Sequence, residues 1–203
     1  WVKGKKSEIT LLHKFVGCNS LKPYQTTDNP VIYLAKLGVL NERFIAAHTN
    51  QLDDKELEFL ASFGTSIAHC PRSNIYLHNK TLNTGQVYKT FEGRIGLGTD
   101  SLFSNYDLNI LNEAKYIKYN STSASTTLDV LKILDMLTIK AAQILRLDKQ
   151  IGSLETGKDA DFLVFKLTNG ENYLNLLDKE SPDDVYISGK TIVKNKSLLE
   201  QKF

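Results

Sequence analysis

Three polar residues of catalytic type, His48, His69 and Asp100, each close a short apolar run. Arg43-Phe44-Ile45-Ala46-Ala47 ends in His48, Ser66-Ile67-Ala68 ends in His69-Cys70-Pro71, and Arg94-Ile95-Gly96-Leu97-Gly98 ends in Thr99-Asp100. An imidazole donates or accepts protons near neutral pH, and a carboxylate accepts hydrogen bonds and protons. Two imidazoles and one carboxylate at equivalent places in successive repeats are therefore a set suited to acid–base chemistry, provided the fold brings those places together.

The elements around them supply that condition. Asp53 to Phe63 (DDKELEFLASF) reads as an amphipathic helix with Leu57, Leu60 and Ala61 on one face, Asp53 as its cap and Gly64 as its stop. Thr84 to Glu92 and Asp107 to Tyr119 read as further helices, and Asn29 to Leu40 as an earlier one with Pro30 near its start. The stretch after Pro71 is polar and reads as a loop. Short apolar strands about 20 to 30 residues apart, each followed by a helix, make βα units and a parallel sheet. In parallel α/β folds, and (β/α)8 barrels above all, the chemistry sits at the C-terminal strand ends. All three residues lie at such ends.

After a Ser/Thr-rich loop from Asn120 to Thr127, one long helix is predicted from Leu128 to Leu145, with Leu131, Leu134, Thr138, Ala141 and Leu145 facing the core. Beyond Ile151 the character changes to short strands over residues 161–165, 185–188 and 191–193, with Gly189-Lys190 as a hairpin turn. A full barrel needs roughly 250 residues. Only about 145 precede this β tail, which allows three or four βα units, or half a barrel. The chain opens Trp1-Val2-Lys3 and its only methionine is Met136, as expected of a chain trimmed at its N-terminus.

The 203 residues are 41% hydrophobic with a net charge of +2, and no Lys/Arg-rich block stands out. Neither nucleic acid nor a membrane is expected as a partner. Cys18 and Cys70 form no CxxC pair and read as free thiols in a reducing compartment, so the cytoplasm is the expected location. Gly152-x4-Gly157-Lys158 is no phosphate loop, because Asp159 stands where Ser or Thr must follow and a strand, rather than a helix, comes next.

The residues that carry this argument also carry a resemblance. Ile45-Ala46-Ala47-His48, Ala68-His69-Cys70-Pro71-Arg72-Ser73-Asn74 and Gly96-Leu97-Gly98-Thr99-Asp100-Ser101 occur in that order in the amidohydrolase superfamily. The chain is most similar to the branch of chlorohydrolases, guanine deaminases and S-adenosylhomocysteine deaminases. The blocks His69 to Asn74 and Gly98 to Ser101 resemble aminofutalosine deaminases, which serve an alternative menaquinone route. Ile151 to Asp161 resembles the branch's return from the last barrel helix into a small β-sandwich. The implied architecture is α/β: residues 1–148 form the C-terminal half of a (β/α)8 TIM-type barrel, and residues 149–203 a β-sandwich segment.

The resemblance also implies roles. Asp100 matches the carboxylate that binds the metal and takes a proton from the attacking water, and His48 a histidine that hydrogen-bonds the activated water and developing oxyanion. His69, Ser73 and Asn74 match positions that support the site or touch substrate. One divalent metal is implied, zinc before iron; such an ion lowers the pKa of bound water to about 7. The family's His-x-His pair, third metal histidine and proton-shuttling Glu have no match here; His13 sits in the wrong context for the third ligand, and His78 reads, like His13, as a surface or core residue. Glu113, on the helix after Asp100, reads as structural. The implied activity is hydrolytic deamination of a purine-like or other nitrogen heterocycle, aminofutalosine among the candidates. The alternatives are a chlorohydrolase or other ring hydrolase of the branch, and a half-barrel binding module without catalysis. The implied partners are a small-molecule substrate, the N-terminal half of the same protein and, in a homodimer, a second copy. A site that needs about four ligands cannot be built from one, so the isolated chain is expected to be inactive.

Overall fold

The computed structural model describes residues 29–78, 80–120 and 127–199. His13, Cys18 and most of the Asn120–Thr127 loop lie outside the described residues. The first part alternates strand and helix: α1 (Pro30–Lys36), β1 (Ile45–Ala47), α2 (Asp54–Ala61), β2 (Ser66–His69), α3 (Pro71–His78), α4 (Thr84–Thr90), β3 (Ile95–Leu97), α5 (Ile110–Tyr119), α6 (Val130–Leu137) and α7 (Ile139–Ile144). The strands pair in parallel in the order β1-β2-β3, with Ile45 opposite Ser66 and Ile67 opposite Ile95. Their C-terminal ends therefore share one edge.

Apolar side chains from both the sheet and the helices make one core. Ile67 of β2 and Ile95 of β3 are fully buried with Phe91, Ile133 and Met136, and Leu57, Leu60, Val87, Ala114 and Ile117 close around them. β2 and β3 are buried over most of their length, which explains why they read as continuous apolar runs, whereas β1, at the sheet edge, leaves Ile45 and Ala47 exposed. The helix starts follow local chemistry. Asp53 accepts from the Glu56 N–H while Glu56 reaches back to the Asp53 N–H, a full capping box. Asn29 caps α1, with Pro30 in its first turn.

A second sheet of four antiparallel strands follows: β4 (Phe162–Val164), β5 (Asp184–Ile187), β6 (Lys190–Lys194) and β7 (Ser197–Leu198). Phe162 stacks on Tyr186 with ring centroids 4.3 Å apart. A 3-10 helix at Tyr173–Asp178 joins this segment to the barrel-like part. Its Leu177 is fully buried in the common core, and Lys118 of α5 bonds both Asp178 carboxylate oxygens, at 2.9 and 2.8 Å.

Five expectations need correction. The stretch after Pro71 is helix α3, not loop: its polar Ser73 and Asn74 are fully buried and hydrogen-bonded while Tyr76 and Leu77 are half exposed, so polarity here does not mark the solvent face. α1 stops at Lys36 because Gly38 turns left-handed, φ +70°, and its N–H bonds Ala35 O. The long helix breaks at Thr138, whose hydroxyl bonds back to Leu134 O at 2.8 Å, a bond known to bend helices. Its core face is Val130, Ile133 and Met136, while Leu131 and Leu145 are exposed; a continuous-helix projection carried across the break mis-set the phase. The hairpin turn is Ser188-Gly189, one residue earlier than expected, with φ of 48° and 73° as a type I′ turn requires. The 3-10 helix itself was not anticipated, since six residues offer no clear period.

Gly152 seats the next segment against this break. Its φ is +94°, and a Cβ there would meet Ala142 Cβ at 2.6 Å and Ile139 Cα at 3.1 Å. Gly157 has nearly the same φ, +93°, with open space around it. Gly152→Ala is expected to destabilise the full-length protein by about 2–4 kcal/mol, and Gly157→Ala by about 1 kcal/mol, because only the first adds overpacking to backbone strain. Denaturant unfolding of both variants checks this; equal losses would mean that the Ala142 contact is unimportant.

Candidate active site

β1 and β3 flank β2, so residues at their ends start about 10 Å apart. The side chains of His48 and Asp100 nevertheless converge, with His48 Nε2 3.7 Å from Asp100 Oδ2. Both residues leave their strands in left-handed backbone, φ 64° for His48 and 61° for Asp100. For residues with a side chain this costs roughly 1–2 kcal/mol each, and such strain persists only where neighbouring contacts hold it.

Those contacts come from the first turn of α3. Ser73 Oγ donates to Asp100 Oδ2 at 2.8 Å. His48 Nδ1–H donates to Asn74 Oδ1, also at 2.8 Å, since an amide oxygen can only accept. Nε2 is thereby left as the nitrogen that faces Asp100. Ser73 and Asn74 have no exposed surface, whereas the His48 and Asp100 side chains are 34% and 30% exposed. The exposed pair thus rests on a buried pair.

Asp100 is held below the usual carboxylate range, first by the Ser104 hydroxyl, against a burial penalty, and then by Ser73, the Ser101 N–H and His48. It is ionised at neutral pH. His69 behaves differently. It is fully buried, its Nε2 lies 3.1 Å from Thr84 Oγ1, and its Nδ1 has no hydrogen-bond partner among the described residues. Burial, with a smaller push from His48, lowers its pKa to about 3. His69 is a neutral imidazole beneath the site. Burial, then the Asp100 charge, raises the Cys70 thiol to about 12, which leaves it protonated and unreactive.

A second polar layer lies behind this one. The Glu113 carboxylate is fully buried; it accepts the Arg72 N–H at 3.0 Å and Asn105 Nδ2 at 2.8 Å. Arg72 also grips Asp107 through two bonds of 3.0 and 2.8 Å. Burial pushes the Glu113 carboxyl up, opposed by these donors. Arg72, Ser104 and Asn105 have no assigned role in the sequence reading; the Ser101-x-x-Ser104-Asn105 spacing directly after Asp100 is the one signal that points to two of them.

The metal implied by the resemblance can be tested against this donor set. Asp100 offers an anionic, partly exposed carboxylate of the kind zinc accepts. Among the described residues no group of three His, Cys, Asp or Glu side chains converges as a metal site. The residues present fit a metal as one arm of a site, not as a whole one. Among the same residues, no helix is long and apolar enough to cross a membrane.

Comparison with known proteins places this geometry in a family. Residues 17–192 match the model of the amidohydrolase family. A 5-methylthioadenosine/S-adenosylhomocysteine deaminase of Thermodesulfovibrio yellowstonii is 38% identical over 141 residues, 68% of this chain and 32% of that protein. A 5'-deoxyadenosine deaminase of Methanopyrus kandleri is 33% identical over 184 residues, 84% of this chain and 42% of that protein. Among solved structures, a zinc-bound adenosine deaminase from Xanthomonas campestris superposes with a TM-score of 0.78 at 25% identity, covering 96% of this chain and 50% of its own. A zinc-bound atrazine chlorohydrolase from Arthrobacter aurescens shares the fold, with a TM-score of 0.75 at 20% identity over 86% of this chain and 41% of its own. The chain spans well under half the length of these curated relatives. With residues 17–192 matched by the family model and relatives at 38% and 33% identity over more than two thirds of its length, the chain belongs to the amidohydrolase family.

Proposed function

We propose that this chain is the C-terminal part of a metal-dependent hydrolytic deaminase of adenosine-type nucleosides, with His48 and Asp100 as its catalytic pair. The observation that carries the reading is the convergence of these two side chains across β2, each fixed by a buried residue of α3. The names of the relatives support an adenine nucleoside altered at its 5' position as substrate. Aminofutalosine is the finer candidate that the sequence blocks favour. Residues 1–148 would be half of a (β/α)8 barrel and residues 149–203 part of a β-sandwich, completed by an N-terminal half of the same protein.

The chemistry follows from the groups present. A bound divalent metal, zinc in this reading, supplies a hydroxide-like water at neutral pH. Asp100 holds one arm of that site and accepts a proton at a carboxylate oxygen, being ionised at neutral pH. His48, anchored through Nδ1–H, presents Nε2 to the reacting atoms and, when protonated, donates to developing negative charge on oxygen. Ser73 and Asn74 are buried, so they orient the pair rather than touch substrate. His69, neutral and enclosed, supports the site from below. The water's oxygen bonds to the amine-bearing ring carbon, the C–N bond breaks, and the proton taken up by Asp100 passes to the departing nitrogen, which leaves as ammonia.

In the full-length protein, Asp100→Asn is expected to lower ammonia release from 5'-modified adenosines at least 100-fold. Near-normal turnover in that variant would overturn the assignment. Ser73→Ala leaves the Asp100 carboxylate in place without its support, and should lower kcat about tenfold with KM little changed; steady-state kinetics on the same substrates decide, and a change confined to KM would make Ser73 a substrate contact instead.

A further inference from the structure

We infer that Glu113 is a positioning residue for the His48–Asp100 pair: one buried carboxylate fixes the backbone beside Ser73 and, through Asn105, the backbone beside Asp100. This rests on the catalytic reading of that pair.

The connections run through neighbours in sequence. Glu113 Oε2 accepts the N–H of Arg72, the residue before Ser73, at 3.0 Å. This caps the open N-terminus of α3 with a carboxylate from another helix, where the exposed N–H groups favour negative charge. Glu113 Oε1 accepts from Asn105 Nδ2 at 2.8 Å, and the same Nδ2 donates to the carbonyl of Thr99, the residue before Asp100, at 2.6 Å. Glu113 thus holds the residue before Ser73 directly and the residue before Asp100 through Asn105, on the two sides of the 2.8 Å Ser73–Asp100 bond. Asp100 needs such bracing because its left-handed φ of 61° is strained. The Arg72 guanidinium, 3.4 Å from Glu113 Oε1 and paired to Asp107, compensates the buried charge.

A general stabiliser of α5 would serve the fold equally well from this place, so the test must separate position from stability. Asn105→Ala cuts the link to Thr99 and leaves the Glu113–Arg72 bond. Glu113→Gln keeps the shape but sets an amide N–H₂ against one of two donors. In the full-length protein, peptide-resolved amide exchange is expected to quicken around Thr99–Ser101 in Asn105→Ala, and around both Thr99–Ser101 and Arg72–Asn74 in Glu113→Gln. Asn105→Ala should lower kcat about tenfold with KM within about twofold. That loss should shrink sharply when Ser73→Ala is already present, because both changes act on the same carboxylate. Unchanged exchange around Thr99–Ser101, or exchange that rises uniformly through α5 with kcat following the folded fraction, would overturn the inference. If the wild-type protein releases no ammonia, the deaminase reading fails, while the exchange pattern still decides the role of Glu113.

Discussion

Two hydrogen bonds from consecutive residues of one helical turn, Ser73 to Asp100 and His48 to Asn74, hold together what the sheet alone would keep apart. The strands that end near His48 and Asp100 are separated by a third strand, and both residues are in backbone conformations that their side chains disfavour. Without α3 over the end of β2, His48 loses its Asn74 bond and Asp100 its Ser73 bond, the two that draw these side chains toward one another. The position of α3 is therefore the constraint on which the geometry depends. It is set by Pro71 at the helix start, by the buried Glu113 at the N-terminal N–H of Arg72, and by packing of α3 against α5.

The polar interior is unusual only in its place. Ser73, Asn74, His69 and Glu113 are fully buried within a chain whose buried residues are mostly apolar, from Ile67, Phe91 and Ile133 to Met136 and Ala114. Burying such groups without partners costs several kcal/mol each, and nearly all have partners here. Among the described residues the exceptions are His69 Nδ1 and Asn74 Nδ2, in the strand-end layer, and Thr81 Oγ1, in the segment before α4. Buried polar groups thus concentrate where the strands end, with the apolar core beneath them, as expected where a scaffold carries a site rather than simply a fold.

Much of this was legible in the chain itself. The strand-end placement of His48, His69 and Asp100, the cap at Asp53, the early Pro30 of α1 and the stop at Gly64 rest on local rules and could be read directly; the Asn29 cap and the end of α1 at Lys36 were not. α3 was hidden because helix prediction reads polarity as exposure, and its polar residues turn inward to partners that lie 26 to 41 residues away along the chain. The same non-locality concealed Arg72 and the reach of Glu113 to it. The phase of α6 was lost for the opposite reason: a single hydroxyl at Thr138 breaks a period that the leucines alone would extend. His69 looked equivalent to His48 in sequence, and only burial separates a neutral supporting imidazole from a partly exposed one.

The central claim is that His48 and Asp100 act as a unit. The most direct measurement is ammonia release by the full-length protein with His48→Gln, with Asp100→Asn and with both. Groups that act together give a double variant no slower than the slower single one, and that is the result the account predicts. Losses that multiply would mean two independent roles, and a single variant with undiminished turnover would remove that residue from the chemistry.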